Sequence, residues 1–345
     1  MSRSLNLKYR PKTFEEVTGQ TVTTTILKRI VETRNFKNVY LFAGKTGSGK
    51  TTCARIFANE INRGLGSPIE IDAASNNGVD QVRAIIDAAN QRALAGEYKI
   101  YIIDECHAIT SAGWQAFLKG IEEPPMYTIF IFCTTEPTKI PATVLNRMQR
   151  YNFTAISMEG IKNRLNYICE QEGFTNYKET CDLISKISQG CMRDAITYLE
   201  QCADLSTDLS VENTKKILGD FSYESMFKLT WAIEEKDESK ILATIDSMAN
   251  AGQDLKYFID LYLEFCLDLV KFIYFKDIAV TKIPAYLATP DNDVVQYTVS
   301  KPNSDKLFLS LVDTLLELKL NIKYDNSVGT TIEAYLLKFI RGLTE

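Results

Sequence analysis

A single histidine, His107, occurs in the 345 residues of this chain. That scarcity nearly excludes metal sites built on imidazole and argues against a catalytic triad that needs one. The eight cysteines (53, 106, 133, 169, 181, 191, 202 and 266) contain no C-x-x-C pair. Neither a zinc framework nor a thioredoxin-like motif is therefore supported, and cysteines inside apolar patterns read as reduced core residues. No apolar run reaches the ~18 residues a bilayer span requires, and Met1-Ser2-Arg3-Ser4 leads into no signal-like segment. These absences lead us to expect a soluble, cytoplasmic protein without a membrane role. Internal repeats and low-complexity tracts are missing too.

What the chain has is an uneven charge. The net formal charge is −5, yet residues 1–155 carry 19 Lys/Arg against 14 Asp/Glu, whereas residues 156–345 carry 20 against 30. An acidic whole still permits nucleic-acid binding where positive charge is concentrated locally, and the first half is where that is possible. Apolar runs at Val39–Phe42, Ile69–Ile71, Ile100–Ile103 and Ile129–Cys133 are short and nearly continuous, as strands covered on both faces should be. Helical periods lie between them, as in Val79, Val82, Ile85, Ile86 and Ala89. This alternation predicts an α/β domain with a mainly parallel sheet over residues 1–155. Beyond it, stripes such as Ile161, Leu165, Ile168 and Leu183, Ile184, Ile187, interrupted by Gly173 and Gly190, predict a small helical domain over 156–220. Broad apolar faces in Phe258–Phe275, Lys306–Ile322 and Ile332–Ile340 predict an all-α domain over 221–345. Its bland reading is a self-contained bundle and its alternative an assembly surface. Lys282–Pro302, with its prolines, reads as a loop-rich crossing.

Gly44-Lys45-Thr46-Gly47-Ser48-Gly49-Lys50-Thr51 follows the first strand and opens into the helical run from Thr52. Strand, glycine-rich loop and helix in that order are the context a G-x-x-x-x-G-K-[ST] phosphate cradle needs. Backbone N–H groups of the loop and the helix N-terminus would face the phosphates, Lys50 would reach the β- and γ-phosphates, and Thr51 would ligate Mg²⁺. About 55 residues after the loop, the strand Lys99–Ile103 ends in Asp104 and Glu105. Asp104 is suited to holding Mg²⁺ through water, and Glu105 to orienting and polarising an attacking water. His107 reads as a loop residue. Thr134 and Thr135 end another strand beside the loop; a γ-phosphate contact and a simple turn before Pro137 are both open.

Further motifs make the pattern specific. Leu7-Lys8-Tyr9-Arg10-Pro11, with Phe14 and Val17-Thr18-Gly19-Gln20, resembles the N-terminal signature of clamp-loader ATPases of the AAA+ superfamily. Ile69-Glu70-Ile71-Asp72-Ala73-Ala74-Ser75-Asn76-Asn77-Gly78, Glu122-Glu123-Pro124-Pro125 and Thr134-Thr135-Glu136-Pro137 resemble the gamma/tau subunits of bacterial DNA polymerase III. The resemblance is dense over residues 5–155, continues through Gly190–Ala195 and weakens beyond about 220. It implies that Tyr9, Arg10 and Val17 line the adenine end of an ATP site whose phosphates meet Gly44, Thr46, Gly47, Ser48, Gly49, Lys50, Thr51 and Thr52. It implies sensor roles for Thr135 and, from a helical lid, Arg193. Arg147 falls at the position of an arginine finger that enters a neighbour's site, although Asn146 and Met148 depart from the usual Ser-Arg-Cys. Ser75, Asn76, Asn77, Gly78 and Arg83 fall where the family follows duplex phosphates, with a solvated helix face as the bland alternative. The four-cysteine zinc module of gamma/tau has no counterpart in Asn59–Pro68, so no zinc is expected, and with Glu345 as the last residue no tau extensions are expected either. That outline also resembles phage and replication-factor-C small subunits.

The implied function is an ATP-driven motor that opens a sliding clamp and loads it on primer–template DNA. Implied partners are further copies of the chain and a distinct clamp-loader subunit, in a pentamer. A branch-migration motor of the same superfamily, or a non-catalytic scaffold subunit, would be the alternatives.

Overall fold

The computed structural model describes residues 4–342 except 94, 211, 215–222, 251–254, 277–297, 323–324 and 326. The chain forms two compact units, Met1–Asn213 and Thr214–Glu345. The expected division near residue 220, and residues 282–297 of the proline-bearing crossing, lie outside the described residues.

In the first unit, β1 (Val39–Gly44), β2 (Ile69–Asp72), β3 (Lys99–Asp104), β4 (Thr128–Thr134) and β5 (Gln149–Phe153) form one sheet in the order β2-β3-β4-β1-β5. Every pairing is parallel, as the alternation of strand and helix signals predicted. Side chains along a strand alternate between faces, so the continuous apolar runs feed two cores. Leu41, Tyr101, Phe130 and Phe132 join Trp114 and Phe117 on one side. Tyr40, Phe42, Ile100, Ile102, Ile129 and Ile131 meet Phe57 and Ile61 on the other. Burial of each such large side chain stabilises the sheet by roughly 1.5–3 kcal/mol.

Parallel pairing brings the carboxyl ends of the strands to one edge. Asp72 stands in register with Asp104, Ala43 with Thr134 and Gly44 with Phe153. The loops that follow β1, β2, β3 and β4 therefore open on one side, where ligands of such sheets bind. Helices α2 (Thr21–Thr33), α3 (Lys50–Ile61), α4 (Val79–Ala89) and α5 (Ser111–Glu122) flank the sheet, with the short α1 (Leu5–Lys8) before them and α6 (Ala142–Leu145) before β5.

Helices α7 (Met158–Glu172), α8 (Lys178–Ile187) and α9 (Met192–Leu205) then make a small helical group. Ser157 caps α7 by accepting from the Gly160 N–H at 3.1 Å. Gly173, at φ +71°, ends the helix in the left-handed conformation that glycine adopts without penalty. The second unit is helical: α10 (Tyr223–Glu234), α11 (Glu238–Asn250), α12 (Leu255–Phe275), α13 (Ser304–Ile322) and α14 (Val328–Gly342). Phe258, Tyr262, Phe265, Phe308, Leu315 and Leu336 sit at its centre. Among the described residues, no helix is long and apolar enough to cross a membrane.

Candidate functional site

The loop between β1 and α3 wraps around its own lysine. Gly47 and Gly49 take φ of +66° and +97°, which lets the chain turn its amides inward. Lys50 is only 6% exposed, and its Nζ donates to the carbonyls of Gly44 at 2.9 Å and Lys45 at 3.0 Å. Burial pushes the Lys50 ammonium below its usual range, while Glu105 and Asp104 act in the opposite direction. An anion in the cavity would add to that restoring effect. Because the N-cap of α3 is Gly49, no side chain caps the helix start, and its first-turn amides are left to a ligand.

Beside the loop, the Thr51 hydroxyl donates to Asp104 Oδ2 at 2.7 Å. Asp104 Oδ1 accepts from the Glu105 N–H at 3.0 Å. Glu105 itself has φ +48° and ψ +41°, a left-handed backbone rarely taken by residues with a side chain. Such strain concentrates where surroundings hold a functional group in place. Thr51, Asp104 and Glu105 all face a cavity of about 490 Å³, within the usual size range of small-molecule sites. Its wall also includes Thr46, Gly47, Ser48, Gly49, Lys50 and Thr52. Hydroxyl and carboxylate oxygens together are the hard donor set that suits Mg²⁺.

Two further walls come from far along the chain. Arg193 faces the cavity from α9, and the N–H of Met192 donates to the Gly47 carbonyl at 3.2 Å. The start of α9 thus sits directly on the phosphate loop. Tyr9, Arg10, Val17 and Thr18 also line the cavity, with Arg164 of α7. Arg164 Nη2 donates to the Tyr9 carbonyl at 2.7 Å and its guanidinium packs over Tyr167. Burial and the neighbouring Glu172 raise the Tyr9 phenol, which stays protonated and hydrogen-bonds Glu172. Glu200 of α9 accepts from Ser4 Oγ at 2.8 Å and the Leu5 N–H at 3.0 Å.

A family model described as DNA polymerase III, delta subunit, matches residues 68–157. DNA polymerase III subunit tau of Bacillus subtilis is 36% identical over 296 residues, covering 79% of this chain and 51% of the relative. DNA polymerase III subunit gamma of Buchnera aphidicola subsp. Schizaphis graminum is 30% identical over 267 residues, covering 71% of this chain and 74% of that protein. This chain belongs to the DNA polymerase III gamma/tau family. It spans about half the length of the Bacillus relative. Among solved structures, the Thermotoga maritima RuvB Holliday junction branch migration motor superposes with a TM-score of 0.53 at 20% identity, over 64% of this chain and 79% of that one. At that identity the likeness concerns the fold alone, a parallel sheet flanked by helices.

In this gamma/tau-family chain, Gly44 and Thr135 stand apart from the cavity wall, as does Arg147, expected to serve a neighbour's site. Gly44 is absent from the lining; a Cβ there would lie 2.2 Å from the Phe153 carbonyl oxygen, so its glycine serves the close β1–β5 approach. Thr135 also lies outside the lining, and its hydroxyl is 3.4 Å from Glu105 Oε2. Arg147 does not reach its own chain's cavity: its Nη2 is 2.8 Å from Glu122 Oε1, with the side chain 41% exposed. Sequence reading missed Arg164, Glu172 and Glu200, because helical periodicity assigns such charges to a solvated face.

The segment after β2 is a fixed turn. Asp72 Oδ1 accepts from the Ala74 N–H at 2.9 Å, and Oδ2 stands 3.3 Å from Ser75 Oγ. The Asn76 amide donates to the Asp72 carbonyl at 3.0 Å, and the Asn77 carbonyl accepts from the Thr110 hydroxyl at 3.1 Å. Gly78 then begins α4 without a side-chain cap. Arg83 projects from α4 with its side chain 68% exposed, 3.7 Å from Asp80. Asp72 also lines the cavity, so one residue touches both the turn and the cavity.

Gly47 provides a test of the contact between loop and α9. A Cβ there would fall 2.1 Å from Cys191 Sγ, on a backbone whose φ already disfavours side chains. The Gly47→Ala variant should displace α9 and weaken nucleotide binding at least tenfold, with the rest of the sheet intact. Titration with a fluorescent ATP analogue, beside a thermal melt, checks this; unchanged affinity would mean that α9 is free to leave the loop.

Proposed function

We propose that this chain is an ATP-hydrolysing motor subunit of a sliding-clamp loader, acting in DNA replication in the cytoplasm. The cavity carries the reading: Lys50, the Thr51–Asp104 pair, Glu105 and Arg193 converge on it. The triphosphate would lie with its γ-phosphoryl group near Lys50 and Arg193, whose charges offset those on the phosphate oxygens. Thr51 and Asp104 would hold Mg²⁺, which when bound neutralises charge shared by the β- and γ-phosphates. Glu105 would orient a water for in-line attack on the γ-phosphorus. The new P–O bond would form as the bond to the ADP oxygen breaks, and the water's proton would pass to Glu105 and from it to solvent. Tyr9, Arg10 and Val17 would enclose the adenine.

The functional division would be 1–155 for the ATPase domain, 156–220 for the lid and 221–345 for a collar. Ser75–Gly78 and Arg83 would follow duplex phosphates without reading bases, a role supported by the uncapped start of α4. Partners would be other copies of the chain, a distinct loader subunit in a pentamer, the clamp and primer–template DNA. ATP binding would favour the clamp-gripping state and hydrolysis would withdraw that differential affinity.

The decisive measurement is ATP turnover by the assembled loader with and without clamp and primer–template DNA. We expect stimulation by both together, and a Glu105→Gln variant that binds ATP but stops turning over. A rate indifferent to clamp and DNA would overturn the clamp-loading assignment. Persistent turnover in the Glu105→Gln variant would remove Glu105 from the chemistry.

A further inference from the structure

The chain's one histidine is placed against the proposed base. His107 is 18% exposed, in a 3-10 turn that follows Glu105. Its Nδ1 lies 3.2 Å from the Thr134 hydroxyl at the end of β4 and 3.2 Å from Glu105 Oε2. Its Nε2 lies 3.6 Å from Glu136 Oε1, a carboxylate paired with Lys139 at 2.9 Å. Thr134 is in turn fixed, being fully buried and accepting from the Glu136 N–H at 3.0 Å. The ring therefore bridges the tips of β3 and β4.

We infer that His107 is a positioning residue: anchored on Thr134, it fixes the Glu105 carboxylate so that one oxygen is held and the other is left to the attacking water. The inference rests on the reading of Glu105 as the base. Thr135 approaches the same oxygen, Oε2, at 3.4 Å, whereas Oε1 takes no hydrogen bond among the described residues. Holding one oxygen from two sides fixes the plane of the carboxylate, and the left-handed backbone of Glu105 fixes its origin. A carboxylate has only lone pairs to offer, so a charge 3.2 Å from Nδ1 favours a proton on that nitrogen. With its proton on Nδ1, the form the inference requires, the ring donates to the Thr134 hydroxyl oxygen and sets the same nitrogen 3.2 Å from Glu105 Oε2.

Two readouts test this in the full chain. Single-turnover hydrolysis in the assembled loader should fall between about 10- and 100-fold in His107→Ala, the range expected when a reacting group drifts from its place, with ATP affinity within twofold of wild type. His107→Asn, whose amide nitrogen falls near the Nδ1 position, should regain most of the rate; His107→Gln, which reaches the Nε2 position instead, should not. Selective ¹⁵N-histidine labelling yields a single imidazole, whose Nδ1 should appear protonated and lose that preference in Glu105→Ala. Wild-type rates in His107→Ala, equal behaviour of the Asn and Gln variants, or an Nε2–H ring indifferent to Glu105 would each overturn the inference. Run beside these, Glu105→Gln separates the two ideas: its loss of turnover with a fully active His107→Ala sinks only the histidine's role.

Discussion

The Lys50→Ala variant is expected to lower ATP affinity by about 100-fold or more and to reduce hydrolysis to background. Two losses add. The ammonium is the charge nearest to where the β- and γ-phosphates would lie, in a site dry enough to strengthen its pull. It also holds the loop in shape, because the Gly44 and Lys45 carbonyls both accept from it. The Lys45 carbonyl keeps the Ser48 hydroxyl as a donor at 2.7 Å, so the penalty of about 1–3 kcal/mol for a buried group that loses its donor falls on the Gly44 carbonyl. The loop should therefore loosen even without nucleotide, which would show as faster amide exchange over residues 44–49. Calorimetric ATP titration and steady-state turnover give the first effect. Normal turnover would remove Lys50 from the mechanism. A melting temperature close to wild type would assign the loss to the site and not to the sheet, whose cores lie beyond the loop.

The parts legible from sequence were those whose physics is local. Val39–Phe42 and Ile129–Cys133 announce themselves because strands covered on both faces need no polar alternation, and both are fully or almost fully buried. The phosphate loop is legible because its glycines must sit at fixed spacing for the chain to turn around Lys50. β5 is less so: in Gln149–Phe153 only Tyr151 and Phe153 are buried, the weak signature of an edge strand. Gly44 shows how a motif position can hide its reason, since its close approach to Phe153 comes from a strand more than a hundred residues away. The same distance hides another part of the cavity wall. Arg164, Glu172 and Glu200 meet Ser4, Leu5 and Tyr9 across more than 150 residues, and nothing in their neighbours' spacing points to that meeting. Their consequence is functional: residues 4–9 are fastened to α7 and α9, so the segment expected to enclose the base should move with those helices.

Arg147→Ala is the second large effect, and whether it lowers hydrolysis or ATP binding depends on which chain the guanidinium serves. In its own chain Arg147 pairs with Glu122 and with the Thr143 carbonyl, apart from the cavity. A half-exposed ion pair of this kind contributes roughly 0–1 kcal/mol, so a triphosphate presented by a neighbouring subunit could outcompete Glu122 at little cost. Hydrolysis in the assembled loader should then fall by about 10³-fold, the lower range for loss of an arginine finger, while ATP affinity stays within about threefold. Mixing decides the matter. Chains carrying Lys50→Ala are inactive in their own cavities yet keep Arg147, whereas Arg147→Ala chains keep intact cavities yet lack the finger. Assembled together, they should recover turnover that neither shows alone, because each mixed boundary of one orientation joins a sound cavity to a sound guanidinium. No recovery, with both variants shown to assemble, would place the arginine's effect within its own chain. Loss of ATP binding in Arg147→Ala would instead assign it to holding α6 against α5, through the contact with Glu122.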